Sequence, residues 1–219
     1  EVVSWIKNCQ SRGIKVLLSI IDNPENHWNQ IDIDAFCKDT CSQMIDSWGL
    51  DGIDIDAESS MPDSVYVSCF IALVTSMRKY LSNEKILTYT CYTGSSGPDG
   101  QILEITRQKI DWINLMAYFD DYSEMTELFN DYSKVMPSHQ ITIGVKAGDT
   151  KVDPSATPLE EVAKLSCWDP EKTEKYGIML WTLNRDIKAF TGQEDGTWTK
   201  TIHQYLDLDN NTKYTNTLS

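Results

Sequence analysis

The sequence predicts an α/β fold built on a parallel sheet covered by helices, and three observations carry that prediction. Short apolar runs rich in β-branched residues alternate with amphipathic stretches, the pattern of repeated β-then-α units. The first strand leads into "IDNPENHWNQ", without the glycine-rich turn that opens a doubly wound sheet. Polar and aromatic residues collect at the C-terminal ends of several strands: Asp56 with Glu58, Tyr92, Tyr118, Lys146 and Trp181. That is where a (β/α)8 TIM barrel carries its working groups, so the barrel is the preferred architecture.

In chain order, "VVSWIKNCQSRG" reads as a helix ahead of the first strand. The strands are "KVLLSI" (15–20), "GIDID" (52–56), "KILTYTCY" (85–92), "WINLMAY" (112–118), "ITIGVKA" (141–147) and "GIMLWTL" (177–183). Helices fall at 34–48, 63–81, 100–109, 123–136, 158–165 and 197–206. Gly49 stops the first of these, and Pro62 with Asp63 starts the next. Six strands are two short of a closed barrel, and a six-stranded remnant would leave two raw edges. The expectation is one catalytic barrel domain over 1–206, holding strands three to eight, and a polar tail at 207–219. Two further strands and a helix are expected outside this sequence, on a cleaved or untraced segment or on a second chain.

The 219 residues suffice for one sizeable core. A formal charge of −14 argues against nucleic acid or an anionic membrane as partner, since both call for Lys and Arg. No apolar run approaches the roughly 20 residues of a membrane span. The six cysteines permit disulfides without requiring them, and Cys37 and Cys41 lie one helical turn apart. With no CxxC pair and three histidines, no metal site is expected, and no cofactor. The sequon Asn210-Asn211-Thr212 points to a secreted or lumenal, lysosome-like location.

The stretch "LDGIDIDAESS" (50–60) concentrates the chemistry. Alternate strand residues face opposite sides, so Asp54, Asp56 and Glu58 share one side while Ile53, Ile55 and Ala57 share the other. Like charges in one stripe raise at least one pKa, and partial burial raises it further. The reading is a shared proton, with the uppermost acid still protonated near neutral pH and able to act as a general acid. A calcium loop is excluded, because Ser59 and Val65 stand where it needs Gly and Glu.

"DGIDIDAE" resembles the DGxDxDxE signature of family-18 glycoside hydrolases, the chitinases and endo-β-N-acetylglucosaminidases, with all five fixed positions filled. "KVLLSI" and "WGLDGIDID" resemble the family's strands three and four, "FIALVTSMRKYL" and "KILTYT" the next helix and strand. "INLMAY" resembles its strand-six MxY motif, and "YGIMLWTLNRD" its strand eight. The resemblance implies that Glu58 protonates the glycosidic oxygen, Asp56 holds the 2-acetamido group and Asp54 shares a proton with Asp56. It implies that Tyr118 binds the acetamide carbonyl and that Trp181 floors the −1 sugar with Met116 beside it. Tyr92, Asn114 and Asp120 complete the expected sugar contacts; Asn114, Met116, Tyr118 and Asp120 share strand parity. The implied reaction is retaining and substrate-assisted, through an oxazolinium.

Three departures from the chitinase pattern stand out. The family's DWEYP is here "DAESSMP", its SxGG is "SIID", and Phe119 separates Tyr118 from Asp120. They shift the expectation from a processive chitinase towards an endo-β-N-acetylglucosaminidase-like enzyme or a divergent chitinase, acting on the N-glycan core or on chitin. The competing reading is a non-catalytic, lectin-like protein on the same fold; the intact Glu58 argues for the enzyme.

Overall fold

A computed structural model describes the backbone of residues 1–216 and the side chains of residues 1–206. The expected polar tail at 207–219, with its sequon, lies outside the described side chains. The chain divides into two compact units, Glu1–Ile113 and Asn114–Ser219. Its six strands are parallel and are hydrogen-bonded in chain order, β1-β2-β3-β4-β5-β6. They are β1 (Leu17–Ile21), β2 (Gly52–Asp56), β3 (Ile86–Cys91), β4 (Trp112–Leu115), β5 (Ile141–Lys146) and β6 (Gly177–Trp181). No helix among the described residues is long and apolar enough to cross a membrane.

In the first unit, α1 (Val2–Gln10) precedes β1, α2 (Ile33–Thr40) continues as a π-helical turn to Asp46, and α3 (Asp63–Tyr80) and α4 (Pro98–Thr106) follow β2 and β3. Asp32 caps α2 by accepting from the Ala35 N–H at 3.0 Å. Gly49, at φ +67°, supplies the left-handed residue that ends the helical run. α3 starts with Asp63 and ends with Arg78 and Lys79, a charge order that suits its dipole. Its Phe70, Leu73, Val74 and Met77 are fully buried, and Phe70 meets Tyr89 of β3 edge-on at 6.1 Å. Gly52 is required by packing: a Cβ there would lie 2.0 Å from the Ile86 carbonyl oxygen.

Asp51, the first acid of the opening stretch, has a structural role. It accepts from the Val16 N–H (2.9 Å), Gln10 Nε2 (3.0 Å) and Lys15 Nζ (3.3 Å), tying α1 and β1 to β2. Burial pushes its carboxyl up, but these three donors outweigh burial and hold it below the usual range.

The second unit contains α5 (Tyr122–Tyr132), α6 (Leu159–Cys167), α7 (Lys188–Thr191) and α8 (Thr197–Asn216). A capping box of Asp121 and Glu124 opens α5. Met125, Phe129 and Tyr132 bury one face of α5, and Phe129 meets Trp168 edge-on at 5.2 Å. β5 is buried on both faces, as a central parallel strand should be. Asp186 anchors the start of α8, accepting from the Trp198 and Thr199 N–H groups and the Thr199 hydroxyl.

The expected "WINLMAY" strand stops at Leu115. The Ala117 N–H turns back to the Leu115 carbonyl at 2.9 Å and Asp120 N–H to Ala117 at 3.2 Å, so 116–120 is a turn. Strand parity therefore does not extend to Met116, Tyr118 and Asp120. Met116, Ala117 and Tyr118 are all buried, whereas Asp120 is exposed. All six cysteines are thiols, four of them buried. Burial pushes Cys37 up to about 12 and Cys41 to about 11.

Candidate active site

β2 places its side chains as the alternation requires. Ile53, Ile55 and Ala57 are fully buried, while Asp54, Asp56 and Glu58 lie half-buried on the opposite side. Each acid meets a different surrounding. Asp54 accepts from the hydroxyls of Ser19 (3.0 Å), Thr88 (2.5 Å) and Thr90 (3.0 Å), contributed by the flanking strands β1 and β3. Ser19 and Thr88 are its register partners on those strands.

Asp56 is the strained member of the ladder. Its Oδ1 is buried and has no hydrogen-bond partner. Burial first, then the charges of Glu58 and Asp54, push its carboxyl up to about 7, against the pull of the Glu58 N–H. Asp56 sits in the middle of the ladder, where a carboxylate has acids on both sides.

Glu58 stands two residues beyond the end of β2, at the edge of a cavity of about 320 Å³. Ile21, Asp22, Pro24, His27, Ser59, Ser60 and Tyr92 line that cavity with it. Ile21 and Tyr92 are about half exposed, so the cavity joins apolar surface to polar tips, the mixture that suits a sugar ring. Of the expected residues, Asp54, Asp56, Glu58 and Tyr92 are thus assembled in the first unit.

The segment carrying Glu58 is held from behind. The Ala57 N–H donates to the Thr90 carbonyl at 3.1 Å, and the Tyr66 hydroxyl lies 2.5 Å from the Ala57 carbonyl. That hydroxyl is also 2.9 Å from Asp99 Oδ1, which receives the Tyr89 hydroxyl at 2.6 Å. Asp99 Oδ2 accepts the Tyr92 and Thr93 N–H groups. One Tyr66 proton cannot serve both Ala57 and Asp99. A proton on Asp99 Oδ1 completes the set, and burial pushes this carboxyl up, in agreement.

The remaining expected residues lie in the second unit. Asn114, on β4, accepts from the Thr142 hydroxyl at 2.8 Å. Tyr118, buried in the turn after β4, leans on Phe119 with ring centroids 4.9 Å apart. Burial, then the charges of Glu124 and Asp121, push Asp120 up. Trp181 ends β6 with 45% of its surface exposed, and its bond to Thr182 is cis. At the neighbouring end of β5, Lys146 Nζ and Arg185 Nη2 share Asp153 at 2.9 and 2.7 Å.

Sequence reasoning missed Ser19, Asp22, His27, Ser59, Thr88 and Thr90. The "TYT" of 88–90 held a signal, since two hydroxyls of one parity sit beside an acidic strand. Asp22 and Ser59 stand out in the sequence only as departures from a family pattern.

The profile of the endo-β-N-acetylglucosaminidase EndoS TIM-barrel domain matches residues 3–180. Endo-β-N-acetylglucosaminidase F2 of Elizabethkingia meningoseptica is 21% identical over 208 residues, covering 89% of this chain; the chain spans 61% of that relative's length. A solved endo-β-N-acetylglucosaminidase of Cordyceps militaris is 20% identical, with TM-score 0.75 over 93% of this chain and 73% of its own. A mutant of that fungal enzyme was solved with fucosyl-N-acetylglucosamine-Asn, at 19% identity, TM-score 0.75 and the same coverage. A chitinase of Bacteroides thetaiotaomicron is 14% identical, with TM-score 0.71 over 85% of this chain and 75% of its own. At these identities the solved structures establish the shared fold.

Proposed function

The chain belongs to the family of endo-β-N-acetylglucosaminidase EndoS TIM-barrel domains, and from that premise we propose that it cleaves β-1,4-linked N-acetylglucosamine by a retaining, substrate-assisted route. The observation that carries the reading is Asp56: a carboxyl raised to about 7 whose buried Oδ1 lacks a partner, next to an acid facing a cavity. A buried polar atom without a partner is costly unless a ligand completes it. An N-acetyl group supplies the missing donor through its amide N–H.

In this reading Glu58 delivers a proton to the leaving glycosidic oxygen. Asp56 Oδ1 takes the acetamide N–H and aims the carbonyl oxygen at the anomeric carbon. The C–O bond breaks as that oxygen bonds to carbon, giving an oxazolinium. Glu58, now a carboxylate, then deprotonates the water that reopens the ring. Asp54, fixed by three hydroxyls, shares the proton of Asp56 as the latter's charge changes. Tyr118 binds the acetamide carbonyl and Trp181 forms the sugar floor, with Met116, Asn114, Asp120 and Tyr92 as further sugar contacts.

The family profile and the bacterial relative support the chitobiose core of N-glycans as substrate, ahead of chitin. Glycan release from a high-mannose glycoprotein, set against reducing-sugar release from chitooligosaccharides, tests this choice. Glu58→Gln should lower turnover by about 10²- to 10⁴-fold, the ordinary worth of a positioned acid, and leave oligosaccharide binding intact. Undiminished turnover in that variant would overturn the proposal, and binding without cleavage by the unaltered protein would make it a lectin.

A further inference from the structure

Two of the positions where this chain departs from the family pattern touch each other. Asp22 replaces the last glycine of SxGG, and Ser59 replaces the aromatic residue after the acid. The Ser59 hydroxyl donates to Asp22 Oδ2 at 2.5 Å. The side chain of Asp22 is 2% exposed, and it gathers two more donors: His27 Nδ1 on Oδ2 at 2.6 Å and the Trp28 N–H on Oδ1 at 3.0 Å. Ser59 in turn accepts the Met61 N–H at 3.2 Å, so its hydroxyl has both a fixed donor and a fixed acceptor. A glycine has no side chain to make such a tie.

We propose that Asp22 and Ser59 are a positioning pair for Glu58, a buried carboxylate–hydroxyl clamp at two positions where the common pattern has a glycine and an aromatic residue. The need for it follows from chain geometry. β2 ends at Asp56, so Glu58 has no ladder hydrogen bonds of its own to hold it. Ala57 is fixed on one side by Thr90 and Tyr66. Without the tie at Ser59, the backbone around Glu58 would be held only on its N-terminal side, at Ala57 and through the Glu58 N–H on the Asp56 carboxyl. Asp22 supplies that tie and, through His27 and Trp28, also fixes the loop 22–28, whose Asp22, Pro24 and His27 line the same cavity as Glu58. The segment carrying the acid and this part of the cavity lining thus share one anchor.

This inference rests on Glu58 being the acid, and its test separates the two. Steady-state kinetics on a released glycan would compare the unaltered protein with Glu58→Gln, Ser59→Ala, Ser59→Thr, Asp22→Asn and the double variant Ser59→Ala with Asp22→Asn. Ser59→Ala should lower kcat by about 10- to 100-fold, the cost of a misplaced reacting group, with KM changed less than about 2-fold. Ser59→Thr, which keeps the hydroxyl, should restore most of the loss. Asp22→Asn leaves a single acceptor oxygen for three donors and so loosens the same tie, and the double variant should be no slower than the slower single variant. If Glu58→Gln abolishes turnover while Ser59→Ala leaves kcat intact, or acts on KM alone, the pair has no positioning role. Losses that multiply in the double variant would equally rule that role out. If Glu58→Gln itself leaves turnover intact, the reading of the acid fails instead. Should Asp22→Asn fail to fold, Ser59→Ala against Ser59→Thr decides the matter alone.

Discussion

Asp56 and Asp99 belong to the same unit, and burial is the leading cause of the raised pKa of each. Their surroundings differ in one respect. Asp99 is fully buried, with two tyrosine hydroxyls on one oxygen and two backbone N–H groups on the other. Asp56 is half-buried and keeps one oxygen with no partner at all. A buried carboxyl with matched lone pairs holds a structure in place; one left incomplete beside a cavity is set to meet a ligand. The raised pKa alone does not distinguish these cases, whereas the count of donors does.

The largest test of that contrast is Asp56→Asn. Turnover should fall by at least about 10²-fold, in the range of other preorganised groups at a reacting centre, while the unfolding midpoint in urea stays level or rises. A marked loss of stability would place Asp56 with Asp99 as a structural acid. Asp99→Ala should do the opposite. It strands the Tyr89 hydroxyl and two N–H groups, at about 1–3 kcal/mol for each one left unsatisfied, so a loss of about 3 kcal/mol or more should appear in denaturant titration.

A pH series sharpens the comparison. The folded pKa of Asp56, about 7, lies above its ordinary 3.8. The folded chain therefore holds a proton that the unfolded chain releases between those values. The stabilisation from this proton is complete below about pH 4 and disappears as pH rises through about 7. Asp99, also raised, adds to the same slope. Thermal midpoints from pH 4 to 8 should fall less steeply in Asp56→Asn than in the unaltered protein. An unchanged slope would break the link between crowding and protonation. A smaller effect is expected for Tyr66→Phe, about 1–3 kcal/mol of stability for the two hydrogen bonds lost at Ala57 and Asp99, measured by urea unfolding.

The acidic strand was readable because its chemistry is local: a period of two, written in consecutive residues, fixes which side each acid takes. Gly52–Asp56 matches its expected bounds, and the other strands begin within two residues of theirs. What escaped the sequence depends on partners far along the chain. Ser59 and Asp22 are 37 residues apart, and no spacing rule links a strand-end aspartate to a serine in another loop. Asp99 sits in "GSSGPDG", a turn by composition; only the tyrosines of α3 and β3 show that Pro98 starts a helix there and that the aspartate points inward. β4 ended early for a related reason: a backbone turn at Ala117 leaves no mark in an apolar run.

Gly52 limits what can be redesigned here. Any side chain at that position would collide with the neighbouring Ile86 main chain, so the start of β2 can lie against β3 only as glycine. Two residues on, Asp54 of the same strand bonds the Thr88 and Thr90 hydroxyls of β3. A mutational library across 50–60 should therefore tolerate far more variety at the exposed Ser60 than at this residue. Engineers wishing to retune the proton held by the middle acid would do better to alter the hydroxyl donors at Thr88 and Thr90 than the glycine that starts the strand.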